Sequence, residues 1–169
     1  MVRSRLILKC FVSRDRTLLL KGYLTYVRPL LEYGSPIWSP HFKYLVDKIE
    51  SVQKYYTKRI PGMWDLPYTE RLNYLGLQTL EKRRVNTDLL LCLQIINGKI
   101  DTSILHSFVR NTNRNVKIRG NSYKLNKISC KIDATKYVYS NRIVNAWNAL
   151  PEHMVSGPSS TMKHFLRRS

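Results

Sequence analysis

Apolar residues recur every three or four positions along most of this chain, and prolines and glycines break the recurrences into helix-sized pieces. Residues 2–11 predict a short helix with Leu6, Ile7 and Cys10 on one side. Ser13 or Asp15 can cap the next helix, whose broad face is Leu20, Tyr23, Leu24, Val27, Leu30 and Leu31. Pro29 predicts a kink or stop near its end, and Gly34 and Pro36 finish it. Ser39-Pro40 reads as a restart, opening a helix to about Ile60 with Leu45, Ile49, Val52, Tyr56 and Ile60 as its stripe. Pro61-Gly62 ends that helix, Pro67 starts a short one through Leu75, and Gly76 caps it. Thr79 then caps the strongest helix, with Val85, Leu89, Cys92, Leu93 and Ile96 inward and Asn97-Gly98 at its end. The pattern weakens over 110–135, where a loop with one short hairpin is expected. Another helix spans about 136–150 (Tyr139 or Ser140, Ile143, Trp147, Leu150), closed by Pro151, and Met162, Phe165 and Leu166 suggest a last amphipathic turn or two.

The fold class is therefore mainly α: a helical bundle over residues 1–98, a basic linker over 99–135, and a C-terminal helical module over 136–169. The densest stretch is Tyr26–Pro40, with three prolines, two large aromatics and Trp38 between two helices. It predicts a packed corner in which Pro29, Tyr33, Pro36 and Trp38 are structural anchors, as Trp147 and Pro151 are for the C-terminal module. Trp64 is expected in a core too.

Charge changes the picture. The net charge is +18 over 169 residues, while 43% of the residues are hydrophobic, too many for a disordered tail. Residues 1–60 carry 12 Lys/Arg against 4 Asp/Glu, residues 61–110 carry 6 against 5, and residues 111–169 carry 11 against 2. Such an excess repels itself unless an anionic partner is present, and nucleic acid is the commonest one. Lys54-Tyr-Tyr-Thr-Lys-Arg59 sets two rings and three cations within two helical turns, where Lys54, Lys58 and Arg59 can meet phosphates. The competing reading places Tyr56 in the core stripe and the lysines on a solvated face. Arg119, Lys124, Lys127 and Lys131 belong to a second, almost acid-free run, and Arg142 adds a cation on the helix after it. Lys82-Arg83-Arg84 reads first as a helix surface and second as a nuclear signal.

Catalytic chemistry finds no footing. Asp15, Asp47, Asp65, Asp88, Asp101 and Asp133 are isolated, His41, His106, His153 and His164 lack partners at metal or triad spacing, and no glycine-rich phosphate loop occurs. Cys10, Cys92 and Cys130 are odd in number and far apart, which suggests reduced thiols in an intracellular compartment. Lys9 interrupts the apolar run of the N-terminus and no small-residue cleavage site follows, so secretion is not expected. The acid-free Arg3, Arg5, Lys9 and Arg14 are compatible with a mitochondrial presequence. No apolar run is long enough for a membrane span, and a nuclear or cytoplasmic location is expected.

Four blocks carry a family resemblance: Tyr26-Val-Arg-Pro-Leu-Leu-Glu-Tyr-Gly-Ser-Pro-Ile-Trp-Ser-Pro40, Pro67-Tyr-Thr-Glu-Arg-Leu-Asn-Tyr-Leu-Gly-Leu-Gln-Thr-Leu-Glu-Lys-Arg-Arg84, Arg119-Gly-Asn-Ser-Tyr-Lys-Leu125 and Asn141-Arg-Ile-Val-Asn-Ala-Trp-Asn-Ala-Leu-Pro151. In this order the chain resembles the region after the polymerase palm in non-LTR (LINE-type) retrotransposon reverse transcriptases of the jockey and chicken-repeat group. The resemblance implies an RNA-directed DNA polymerase, of which residues 1–98 would be the thumb. The palm's aromatic-x-Asp-Asp signature is absent, so catalysis does not carry over and no cofactor is expected here; magnesium would belong to the palm. The expectation is a fragment that grips the template–primer duplex by its backbone, with the palm and nucleic acid as partners, no small-molecule ligand and no membrane. The alternatives are a helical interaction module or a transposon remnant without activity.

Overall fold

The computed structural model describes residues 2–11, 13–100, 121–157 and 159–168, and the chain is mainly helical. It divides into two compact units, Met1–Arg84 and Val85–Ser169.

In the first unit α1 (Val2–Cys10) is followed by α2 (Arg16–Gly22), a π-helical stretch (Tyr23–Val27), α3 (Arg28–Glu32), α4 (Ser35–Trp38), α5 (Lys43–Thr57) and α6 (Tyr68–Leu75). Asp15 caps α2, its carboxylate accepting the Leu18 N–H at 2.8 Å. Pro29 neither stops nor breaks the helix. Proline in register would drive its ring into the carbonyl four residues back; instead the Arg28 N–H bonds Tyr23 O, one residue further away, and the π stretch absorbs the mismatch. The core gathers Leu8, Leu19, Tyr23, Val27, Val52, Tyr56, Ile60, Met63 and Leu75. Gly22 of α2 is closely packed, since a Cβ there would stand 2.9 Å from Cε2 of Phe11, 3.4 Å from the Tyr56 hydroxyl of α5 and 3.5 Å from Cγ2 of Ile7 in α1. Gly76, at φ 62°, closes α6 in a left-handed turn, with the Leu77 N–H returning to Leu72 O at 2.8 Å.

Several expected faces shift. On α1 the buried apolar residue is Leu8, and Leu6 and Cys10 are exposed. The restart at Ser39-Pro40 is delayed: α5 begins at Lys43, with Phe42 at its cap position and no side-chain cap bond. Its buried face includes Glu50, Gln53 and Thr57, which an apolar period cannot pick out. These polar groups satisfy one another. The Tyr23 hydroxyl donates to Gln53 Oε1 at 2.5 Å, and Gln53 Nε2 donates to the Tyr68 hydroxyl (2.9 Å) and Gln78 O (3.0 Å). Tyr68 in turn donates to Glu50, whose carboxylate also accepts the Leu80 N–H at 3.0 Å, at the start of α7 (Leu80–Ile96). Burial, with the Glu50 charge beside it, holds the Tyr68 hydroxyl far above its ordinary range.

The corner at Tyr26–Pro40 is not packed as expected. Pro29 is exposed, Tyr33 is 84% exposed and Ile37 91%; Trp38 is 41% exposed, its indole N–H donating to Tyr33 O. Trp64 is also at the surface. Ile37 and Trp38 lie on the four-residue α4 and Tyr33 just before it, and all three are exposed.

The second unit takes in the later part of α7, then α8 (Asp133–Lys136), α9 (Tyr139–Asn148), α10 (Glu152–Val155) and α11 (Ser159–Arg168). The expected break after residue 98 therefore falls inside α7 instead, because Leu89, Cys92, Leu93 and Ile95 bury their side chains with the C-terminal core. That core also holds Leu125, Tyr139, Ile143, Val144, Trp147, Leu150, Val155, Met162 and Leu166, and Trp147 is fully buried. Residues 101–120 lie outside the described residues, and the expected hairpin falls partly on them.

All three cysteines are free; Cys10 is exposed and Cys92 buried. Burial and the nearby Asp88 charge push the Cys92 thiol up to about 12. A thiol titration at neutral pH is therefore expected to label Cys10 at once and Cys92 only after denaturant is added; rapid native labelling of Cys92 would contradict this core.

Candidate nucleic-acid interface

The end of α5 separates its two adjacent rings. Tyr56 turns into the core and donates its hydroxyl to Leu19 O at 2.9 Å, while Tyr55 stays half-buried at the surface. Arg59 lies on the Tyr55 ring, its guanidinium carbon 3.3 Å from the centroid, and its Nη1 donates to Tyr55 O at 3.0 Å. Arg5 of α1 reaches the same ring at 5.8 Å. Lys54 and Lys58 are exposed beside them, and the Lys54 ammonium lies 5.4 Å from the Tyr68 centroid. Two arginines thus lie over the Tyr55 ring, Lys54 lies over Tyr68, and Lys58 is exposed in the same segment. Cations at a helix C-terminus complement its dipole, which explains some of this charge without a ligand. The stacked guanidinium does more: it fixes a planar donor set at the surface, suited to phosphate.

The sequence offered no sign that Arg5 joins this group, since contact depends on how α1 packs against α5. Lys82-Arg83-Arg84 is not an exposed run. Arg83 makes a two-point ion pair with Glu32 (Nη2 to Oε2 2.9 Å), and Arg84 is buried. Arg71 is buried too, donating to Leu66 O at 2.9 Å.

In the second unit residues 121–130 run alongside α9. Asn148 donates to Leu125 O (2.9 Å) and accepts from the Leu125 N–H (3.0 Å). Asn141 does the same with Ile128, at 3.2 Å and 3.0 Å. The Trp147 indole N–H donates to Tyr123 O at 2.8 Å, and the buried Asn121 side chain donates to Trp147 O and Leu150 O at the end of α9. Ser122 donates both its N–H and its hydroxyl to Glu152 at 2.6 Å, which holds that carboxyl below the usual carboxylate range. Lys127 and Lys131 are exposed on this stretch and Lys124 is half-buried.

Arg142 is not available as a phosphate ligand. Its guanidinium grips Asp88 with two bonds, Nε to Oδ2 at 3.0 Å and Nη2 to Oδ1 at 3.2 Å, and the Asp88 side chain is only 5% exposed. Its position on α9 made it look like a free cation because Asp88, on α7, is 54 residues away. Arg119 lies outside the described residues. Among the described residues no group of three or more His, Cys, Asp or Glu could hold a metal ion, and no helix is long and apolar enough to cross a membrane.

No protein-family model matches this chain, and no solved structure does. The chain is similar to uncharacterized protein B0403.1 of Caenorhabditis elegans, 28% identical over 101 residues, which is 58% of this chain and 51% of that protein. It therefore spans about half the length of the curated relative it matches.

Proposed function

We propose that this chain is a nucleic-acid-binding piece of a non-LTR retrotransposon reverse transcriptase, holding a template–primer duplex by its phosphate backbone without polymerising. The family part of the reading rests on the four sequence blocks. The observation that carries the binding part is the surface at the end of α5, where Arg5 and Arg59 lie over the half-buried Tyr55 ring and Lys54 and Lys58 are exposed in the same segment. Cations held on helices can meet a backbone without reading bases. The aromatic-x-Asp-Asp signature of a polymerase does not occur in the sequence, so binding is the activity proposed for this chain, in the nucleus or cytoplasm where such an element acts.

Anisotropy titrations with labelled DNA duplex and RNA–DNA hybrid test it. Affinity should fall steeply with salt, and Lys54→Ala/Lys58→Ala/Arg59→Ala should flatten the log–log salt slope by up to about 2.7, roughly 0.9 for each phosphate no longer neutralised on B-form DNA. Binding that ignores salt, or a slope unchanged in that variant, would remove α5 from the interface.

A second reading has its own support. Tyr33, Ile37, Phe42 and Tyr44 are exposed close together in sequence, with the His41 and Phe42 rings 3.9 Å apart and Phe42 and Tyr44 5.8 Å apart. A helical module that docks through such side chains would associate or precipitate when alone, and would do so equally in high salt. A monomer at high concentration in sedimentation would count against it.

A further inference from the structure

We propose that residues 121–131 form a cationic ribbon for a nucleic-acid phosphate backbone, and that Asn141 and Asn148 are the positioning residues that hold it. This rests on the nucleic-acid reading above, but concerns a second surface, in the second unit.

An extended segment must find partners for its peptide groups, and α9 supplies them from side chains. An asparagine amide carries the same donor and acceptor as a peptide, so Asn148 and Asn141 pair with Leu125 and Ile128 as a neighbouring strand would. The spacing matches. Seven residues of helix advance about 10.5 Å, at roughly 1.5 Å each. Three residues of extended chain advance about 10 Å, at roughly 3.3 Å each. The two directions are opposed, since Asn148 takes Leu125 and Asn141 takes Ile128. Trp147 Nε1 on Tyr123 O and Asn121 on the end of α9 fasten the near end, and the Asn141 amide also reaches Cys130 Sγ at 2.7 Å and Thr135 O at 3.3 Å at the far end.

With its backbone occupied in this way, the segment carries Lys124, Lys127 and Lys131 and no acid before Asp133. Glu152 meets the segment at Ser122, where both of its oxygens are taken. Fixing the lysines before binding spares the cost of ordering a loose chain on the ligand. The near end of the ribbon, up to Leu125, falls in the third of the sequence blocks above, and Asn141 and Asn148 both fall in the fourth.

Anisotropy titrations of the full chain with labelled DNA duplex test this. Lys127→Ala/Lys131→Ala should reduce the salt slope by about 1.8, two phosphates at roughly 0.9 each. In an Asn148→Ala or Asn141→Ala background, where no charge has changed, the same lysine pair should cost at most half as much. Equal cost in both backgrounds would overturn the positioning role. A normal slope in the lysine variant, alongside a flattened slope in the α5 variant, would overturn the ribbon and leave the proposed function standing; normal slopes in both would overturn that function as well. Should either asparagine variant fail to fold, hydrogen exchange on the unaltered protein decides the clamp. The Leu125 and Ile128 amides should exchange slowly, and free exchange at both would overturn it.

Discussion

Trp147→Ala is expected to be the most damaging single substitution among the tryptophans, lowering stability by about 3–5 kcal/mol. The ring is fully buried among side chains from α7, α9 and α11, and its indole N–H holds Tyr123 O at 2.8 Å. Removing it opens a cavity and leaves a carbonyl of the extended segment without its donor. Trp147→Phe keeps much of the apolar packing and loses the bond, so it should fall between the wild type and the alanine variant. Trp38→Ala should cost far less, about 1 kcal/mol or below, because a partly exposed ring has little burial to lose. Urea unfolding followed by far-ultraviolet circular dichroism measures all three, with the transition of the second unit as the readout for the Trp147 variants. A larger loss at Trp38 than at Trp147 would restore the corner at Tyr26–Pro40 as the organising element and sink the assignment of the second core.

Which tryptophan matters could not be read from composition, and the reason is physical. Some helix starts and stops were legible because one residue decides them locally: Asp15, Gly76 and Thr79, whose hydroxyl accepts the Lys82 N–H at 3.2 Å, sit where local chemistry puts them. Ser39-Pro40 and Pro29, by contrast, do not act as the local signal predicts. The Ile143–Trp147–Leu150 face and Met162 with Leu166 were legible as well, because their periodicity is clean, although Phe165, read with the last two, is exposed. What failed was inference from density. Tyr33, Ile37 and Trp38 are crowded in sequence, yet crowding between two turns does not supply a surface to pack against. Polar burial was hidden for the opposite reason. Glu50 and Gln53 resemble the exposed side of an amphipathic helix until Tyr23, Tyr68 and the Leu80 N–H, all distant in sequence, arrive to satisfy them. The asparagines of α9 left a faint trace, two amides seven residues apart on one face. Their partners lie in a stretch whose own pattern is too irregular to announce a role.

The same distance problem governs the candidate site, and one cation decides it. Arg142→Ala and Asp88→Ala should each cost about 3–5 kcal/mol, as expected when one member of a buried pair is stranded. Arg142→Ala should be the worse, since it leaves the more deeply buried carboxylate without its two guanidinium bonds. The double variant should be milder than the sum of the two, because removing both charges abolishes the stranded group along with the attraction. Urea unfolding of the four proteins completes the cycle; simple additivity would mean that the pair seen between α7 and α9 contributes nothing. The cycle also separates structure from binding. If Arg142 serves Asp88, Arg142→Ala should bind duplex with an unchanged salt slope wherever it remains folded, whereas loss of Lys127 and Lys131 should flatten the slope with no change in unfolding midpoint. A flattened slope in folded Arg142→Ala would return this arginine to the interface and show that Asp88 releases it when nucleic acid arrives.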